Sequence, residues 1–209
     1  MKVIIFGSTG ATGQQVVKQA LEQGHDVTAF ARSPEKFDQT HEKLQVLKGD
    51  VLDFASVEGA IRGHDAVLCA IGRPPSDKSN LRANGTKNII RAMEKTGVKR
   101  LICQSSDGVG DSRERLPFIY KYLLVPFLLR RVFADHELQE NHIKKSRLDW
   151  TIARPTALTN GDHTGAYQQG YNGDNKKVAN KISRADTADF MLKQLADNDY
   201  LHQTPSLSY

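Results

Sequence analysis

The chain has 209 residues, enough to bury the core of one α/β domain without a disulfide staple. Its 39% hydrophobic and 25% charged residues are ordinary for a globular protein, and its net charge of +5 comes from scattered lysines and arginines. With no basic run long enough for a nucleic-acid arm, nucleic acid is excluded as the expected partner and acidic small molecules are favoured.

The chain opens on an apolar run, Lys2–Phe6, which reads as a strand because it lacks the charged lead and cleavage site of a signal peptide. A helix over 11–23, closed by Gly24, leads to strands at Val27–Ala31 and Gln45–Leu47. Asp53 N-caps a helix over 54–62, followed by a strand at Ala66–Ala70 and a helix over 80–96 closed by Gly97. Strand Arg100–Gln104, helix 118–145, strand Trp150–Ala153 and a helix over 186–196, N-capped by Asp186, complete the series. Cys69 and Cys103 each close an apolar run, as small buried core residues do, and two isolated thiols fit a reducing compartment. The most apolar segment, 116–134, is broken by Lys121 and Pro126 and is too short to span a membrane. A cytoplasmic, soluble protein is expected.

Alternating strands and helices predict an α/β fold, a single domain with a doubly wound parallel sheet flanked by helices. Residues 159–181, rich in Gly, Asn, Asp and Gln, form the longest loop-like stretch and are too long for filler. Substrate-side elements are expected at about 105–135 and 155–182.

The first strand-to-helix turn reads GSTGATG, with Gly7, Gly10 and Gly13 three apart. Glycines there permit a tight turn, close backbone approach to a pyrophosphate, and close packing of helix on strand. Thr9, Ala11 and Thr12 complete the cradle, where the helix start offers free N–H groups and a positive dipole end to phosphates. The spacing is GxxGxxG rather than GxGxxG, but its place between strand and helix predicts a Rossmann-like dinucleotide site. At the end of the second strand, where an NAD enzyme places a carboxylate, stand Arg32 and Ser33. Arginine can fork onto a 2′-phosphate, so NADPH (NADP) is expected over NADH; the alternative is a solvated arginine at a strand end. Asp50 and Val51 fall where the adenine lies, and Asp50 either accepts from its exocyclic amine or caps a turn. Ala70, Ile71 and Gly72 border the cofactor by backbone, with Arg73 either near the phosphates or solvated.

No tyrosine has a lysine four residues on, so alcohol–ketone and nucleotide-sugar epimerase chemistry through a Tyr-x-x-x-Lys pair is not expected. His136 and His142, six apart on one helix, do not share a face; they read as exposed residues rather than metal ligands. The segment 116–134 reads as helix packing or as an apolar lid over a flat ligand, with Arg130 and Arg131 placed to meet carboxylates or phosphates.

The segments GSTGATG, KGDVLD, GTKNIIRAMEKTGVKRLI, DHELQENHIKKSRLDWT, TGAY and the tail ISRADTADFMLKQLADNDYLHQTPSLSY resemble an atypical short-chain dehydrogenase/reductase. The closest likeness is to the flavin reductase/biliverdin reductase B family, with NmrA-like proteins as further relatives. The resemblance implies hydride transfer from NADPH to a flat conjugated acceptor: a flavin, a linear tetrapyrrole or a quinone. It implies that Ser105 is the catalytic serine, orienting nicotinamide or acceptor, with Ser106 the alternative. In RPTAL the chain carries Thr156 and Ala157 where the mammalian member has a histidine after a proline pair, leaving Pro155, Thr156 and Leu158 to wall the nicotinamide. The conjugated nitrogens of such acceptors can take a proton from water, so positioning is the main task left to the protein. The rival reading is a non-catalytic NADP(H)-binding redox sensor of NmrA-like type. The expected partner is a small-molecule acceptor, with no nucleic acid and no membrane, bound by a monomer or weak dimer.

Overall fold

A computed structural model of the protein describes residues 1–37, 40–73, 77, 79–115, 129–170 and 179–209. The first half alternates β1 (Lys2–Phe6), α1 (Ala11–Glu22), β2 (Asp26–Ala31), β3 (Leu44–Lys48), α2 (Phe54–Ile61), β4 (Ala66–Cys69) and α3 (Leu81–Thr96). The second half adds β5 (Arg100–Gln104), α4 (Arg130–Lys144), β6 (Asp149–Pro155), β7 (Ala157–Thr159), β8 (Gln168–Gln169), β9 (Lys181–Ser183), α5 (Arg184–Lys193) and β10 (Ser206–Ser208). The main sheet runs β3-β2-β1-β4-β5-β6-β10-β8, parallel except for the last pair, and β7 pairs with β9 apart from it.

β1 shows why the sheet carries helices on both faces. Val3 and Ile5 pack with α1 and α5 residues such as Val16, Val17 and Phe190, while Ile4 and Phe6 pack with Ile61, Ile89 and Ile143 of α2, α3 and α4. A strand buried on both sides has no polar alternation to show, hence the unbroken run VIIF. Cys69 and Cys103 are fully buried within one of these cores, as expected. The chain travels outward from β1 to β3, then crosses back to β4 on the other flank of β1. The carboxyl ends of β1 and β4 therefore border the crevice where doubly wound sheets take ligands.

Asp53 caps α2 by accepting from the Ala55 N–H at 3.1 Å, and Gly97 closes α3 in the left-handed region at φ 82°. The expected cap at Asp186 is corrected: α5 begins at Arg184, and Ser183 Oγ accepts from the Asp186 N–H at 2.9 Å. Ser183 is the cap because the Asp186 carboxylate is held elsewhere, by the Thr164 hydroxyl and N–H, the Gly165 N–H and the Tyr209 hydroxyl. The described part of the stretch 159–181 contains β8 and that clamp on TGAY. Residues 118–128 of the expected long helix lie outside the described residues. Among the described residues, no helix is long and apolar enough to cross a membrane.

Candidate functional site

The site begins at the turn between β1 and α1. Gly7 holds φ 78°, and a Cβ there would run into the Ala70 carbonyl oxygen at the end of β4. A Cβ on Gly13 would collide with the Gly7 oxygen, so α1 approaches the turn this closely only with glycine at that place. Gly10 occupies the cap position of α1 with no side-chain cap, leaving the first N–H groups of the helix for a ligand.

Two cavities meet here and share Gly10, Ile71 and Gly72. The smaller, of about 200 Å³, is bordered by Gly7, Thr9, Arg32, Val51 and Arg73. The larger, of about 580 Å³, is bordered by Ala11, Thr12, Ala70, Ser105, Pro155, Thr156 and Leu158. The fold thus gathers fifteen of the eighteen residues singled out for cofactor or substrate at one crevice: the five and seven just named and the shared three. Gly13, Ser33 and Asp50 border neither cavity. Gly13 packs helix on turn, and Asp50 Oδ1 accepts from the Leu52 N–H at 2.9 Å, which is the turn-cap reading. Of the two readings of Arg73, the solvated one is corrected: its side chain is 2% exposed, with Nε 3.4 Å from Asp135 Oδ2.

Ser105 directly follows β5 and is 2% exposed; its N–H donates to Ala153 O at 2.8 Å, while its hydroxyl makes no well-formed hydrogen bond. The hydroxyl lies beside the Glu140 carboxylate, which Arg154 of β6 grips from Nε at 2.9 Å and Nη2 at 2.6 Å. Burial pushes the Glu140 pKa up, but the Arg154 hydrogen bonds and charge overcome it, with smaller help from Lys144 and Ser105, and hold it below the usual carboxylate range. Asp111 adds a second carboxylate to Arg154 at 2.8 Å.

His136 is the residue that the sequence reading misplaced. It is 7% exposed and borders the larger cavity, where burial first, then the nearby Arg82 charge, push its pKa down to about 3. The signal was present: His136, Gln139, Glu140 and Ile143 recur at helical spacing and all face inward on α4. Leu129 and Phe133 also line this cavity, whereas Arg130 and Arg131 are exposed and border neither. Of the lid, residues 116–128 lie outside the described residues. Among the described residues no tyrosine borders either cavity. The TGAY tyrosine, Tyr167, donates to Asp189 at 2.7 Å, and burial together with that carboxylate pushes its pKa far up.

A glycine turn between β1 and α1, opening onto a crevice at the switch point of a doubly wound sheet, defines a Rossmann-like dinucleotide-binding protein. The chain belongs to the NAD(P)H-binding family, whose pattern matches residues 7–198. A chloroplastic Arabidopsis thaliana protein of uncharacterised function is 32% identical over 173 residues, covering 78% of this chain and 61% of that one. The chain spans less than two thirds of the length of this and two further curated relatives, of which it covers 32% and 12%. A short-chain dehydrogenase/reductase from Veillonella parvula, solved in complex with NADP, shares the fold at a TM-score of 0.82 and 19% identity, covering 100% of this chain and 94% of that one. ChuY from Escherichia coli O157:H7, described as an anaerobillin reductase, has a TM-score of 0.79 and 25% identity over 99% of this chain and 96% of its own.

Proposed function

We propose that the chain is an NADPH-dependent reductase of flat conjugated acceptors: flavins, linear tetrapyrroles or quinones. The observation that carries this reading is the larger cavity. It opens beside the N-terminus of α1, has apolar walls at Leu129, Phe133, Pro155 and Leu158, a buried serine hydroxyl, and no tyrosine among the described residues. The residues present fit NADPH: an uncapped helix start for the diphosphate, and the Arg32 guanidinium, exposed at the rim of the smaller cavity, for the 2′-phosphate. When bound, NADPH supplies a hydride. Pro155, Thr156 and Leu158 wall the nicotinamide, and the Thr156 hydroxyl is itself held by Leu207 O at 3.0 Å. Ser105 Oγ orients the ring or its acceptor, and the Glu140–Arg154 pair, which joins α4 to β6, lies behind it. That ChuY is a reductase of anaerobillin supports the acceptor class.

The test is loss of NADPH absorbance with FMN, FAD, biliverdin and menadione in parallel. Turnover with at least one is expected, and Ser105→Ala should lower kcat by about 10–100-fold while NADP⁺ affinity changes little. Tight NADP(H) binding with no turnover of any acceptor would replace this reading with that of a non-catalytic redox sensor.

A further inference from the structure

His136 and Arg82 both line the larger cavity, near enough that the Arg82 charge helps push the His136 pKa down. His136 Nδ1 lies 3.3 Å from Gln139 Oε1, and the amide nitrogen of Gln139 donates to Thr86 Oγ1 at 2.9 Å. With Oε1 as the amide atom facing the ring, Nδ1 carries the ring proton; the Thr86 hydroxyl, which donates as well as accepts, suits the flipped amide equally, so the ring ¹⁵N shifts decide between the two. Nε2 is then a bare acceptor, and no described residue bonds to it. Burial keeps the ring neutral at physiological pH, so Nε2 does not gain a proton there. Arg82 offers only donors, and Asp135 Oδ2 steadies its guanidinium at 3.4 Å. The same carboxylate accepts from the N–H groups of Arg82 and Ala83, anchoring the start of α3 against α4.

An acceptor beside a donor complements a ring N–H beside a carbonyl. We propose that His136 Nε2 accepts from a ring N–H of the substrate while Arg82 donates to the adjacent carbonyl, so that this wall selects acceptors bearing an imide or lactam edge. Isoalloxazines present such an edge at N3, and linear tetrapyrroles present one on their terminal lactam rings; quinones have none. This inference rests on the cavity being the acceptor site proposed above.

The test is binding of lumiflavin and 3-methyllumiflavin to the NADP⁺-saturated full chain, read by quenching of flavin fluorescence. Wild type should favour lumiflavin about tenfold, since methylation removes the donor and leaves a buried acceptor unpaired. His136→Leu should bring the ratio to about one. His136→Asn, close to leucine in shape but able to accept through its amide oxygen, should keep a several-fold preference, so sterics cannot explain a difference between the two variants. Imidazole ¹⁵N shifts of the wild-type protein should report a protonated Nδ1. Equal affinities in wild type, a preference that survives in His136→Leu, or a protonated Nε2 would each overturn the inference; the wild-type measurements decide even if a variant does not fold. NADPH oxidation by menadione without discrimination between the flavins would overturn it and leave the reductase reading standing. Discrimination in binding with no turnover of any acceptor would support it and defeat that reading.

Discussion

Arg154→Met isolates the charge network behind Ser105. In the native protein Arg154 is fully buried and Glu140 is 2% exposed, joined by two hydrogen bonds of 2.9 and 2.6 Å. Removing the arginine leaves Glu140 buried with, among the described residues, only Lys144, at 3.0 Å and 37% exposed, as a salt-bridging cation. Breaking such a pair from one side costs about 3–5 kcal/mol. For a chain of this size that is a fall in Tm of roughly 6–20 °C. The pH dependence supplies the sharper test. In wild type the Glu140 pKa is lowered, so its contribution to stability is present above the ordinary carboxylate value and is lost as pH falls through the lower folded value. In Arg154→Met, burial acts without Arg154 to oppose it and raises that pKa, so the variant is penalised at neutral pH and relieved as Glu140 protonates. The stability difference, measured by urea unfolding at pH 7.5 and pH 5, should therefore shrink at the lower pH. Adding Glu140→Leu should recover most of the loss, because a buried pair replaced by apolar groups is often neutral. A difference independent of pH, or a double variant as unstable as the single one, would refute the reasoning.

Arg32→Ala should weaken NADPH binding by about tenfold while leaving NADH unchanged, which calorimetric titration of both cofactors checks. Gly13→Ala forces a methyl onto the Gly7 carbonyl and should cost about 1–3 kcal/mol, seen as a lower Tm together with weaker NADPH binding. Tyr209→Phe removes one of four donors to Asp186, the one at 2.6 Å, and should cost about 1 kcal/mol in urea unfolding. Faster proteolytic cleavage within 160–170 should accompany it; unchanged cleavage would show that the tail does not hold the TGAY loop.

β1 and β5 could be read to the residue because each is an apolar run ended by turn-forming residues. β8 and β10 could not be read, since Gln168–Gln169 and Ser206–Ser208 carry no such pattern. They are strands because β6 offers β10 a partner and β10 offers one to β8, which is information held far away in the chain. Asp186 failed for the same reason. An acidic residue before an apolar helix is a sound cap by local rules, but Ser183 stands three residues earlier and the carboxylate is claimed by Thr164, Gly165 and Tyr209. The family-like TGAY and tail segments are thus joined through one buried aspartate, which ties two segments far apart in sequence to the same helix.

The glycine turn was legible because each of its requirements is local: a left-handed residue, a bare helix start, a close contact three residues on. The larger cavity was not, because one of its walls is a helix face whose polar residues are buried. Asking whether His136 and His142 share a face tests for metal ligation and says nothing of what each one touches. The stripe His136, Gln139, Glu140 and Ile143 asks a better question, since an inward-facing polar run is tolerated only when each member finds a partner. Here Gln139 bonds to Thr86 and Glu140 to Arg154, while Asp135, next to the stripe, secures the start of α3. α4 therefore does more than cover the sheet. It sets Ser105 from behind, through Glu140, and faces the larger cavity with His136, so the chemistry of that cavity depends on this helix as much as on the strand ends that the sequence makes plain.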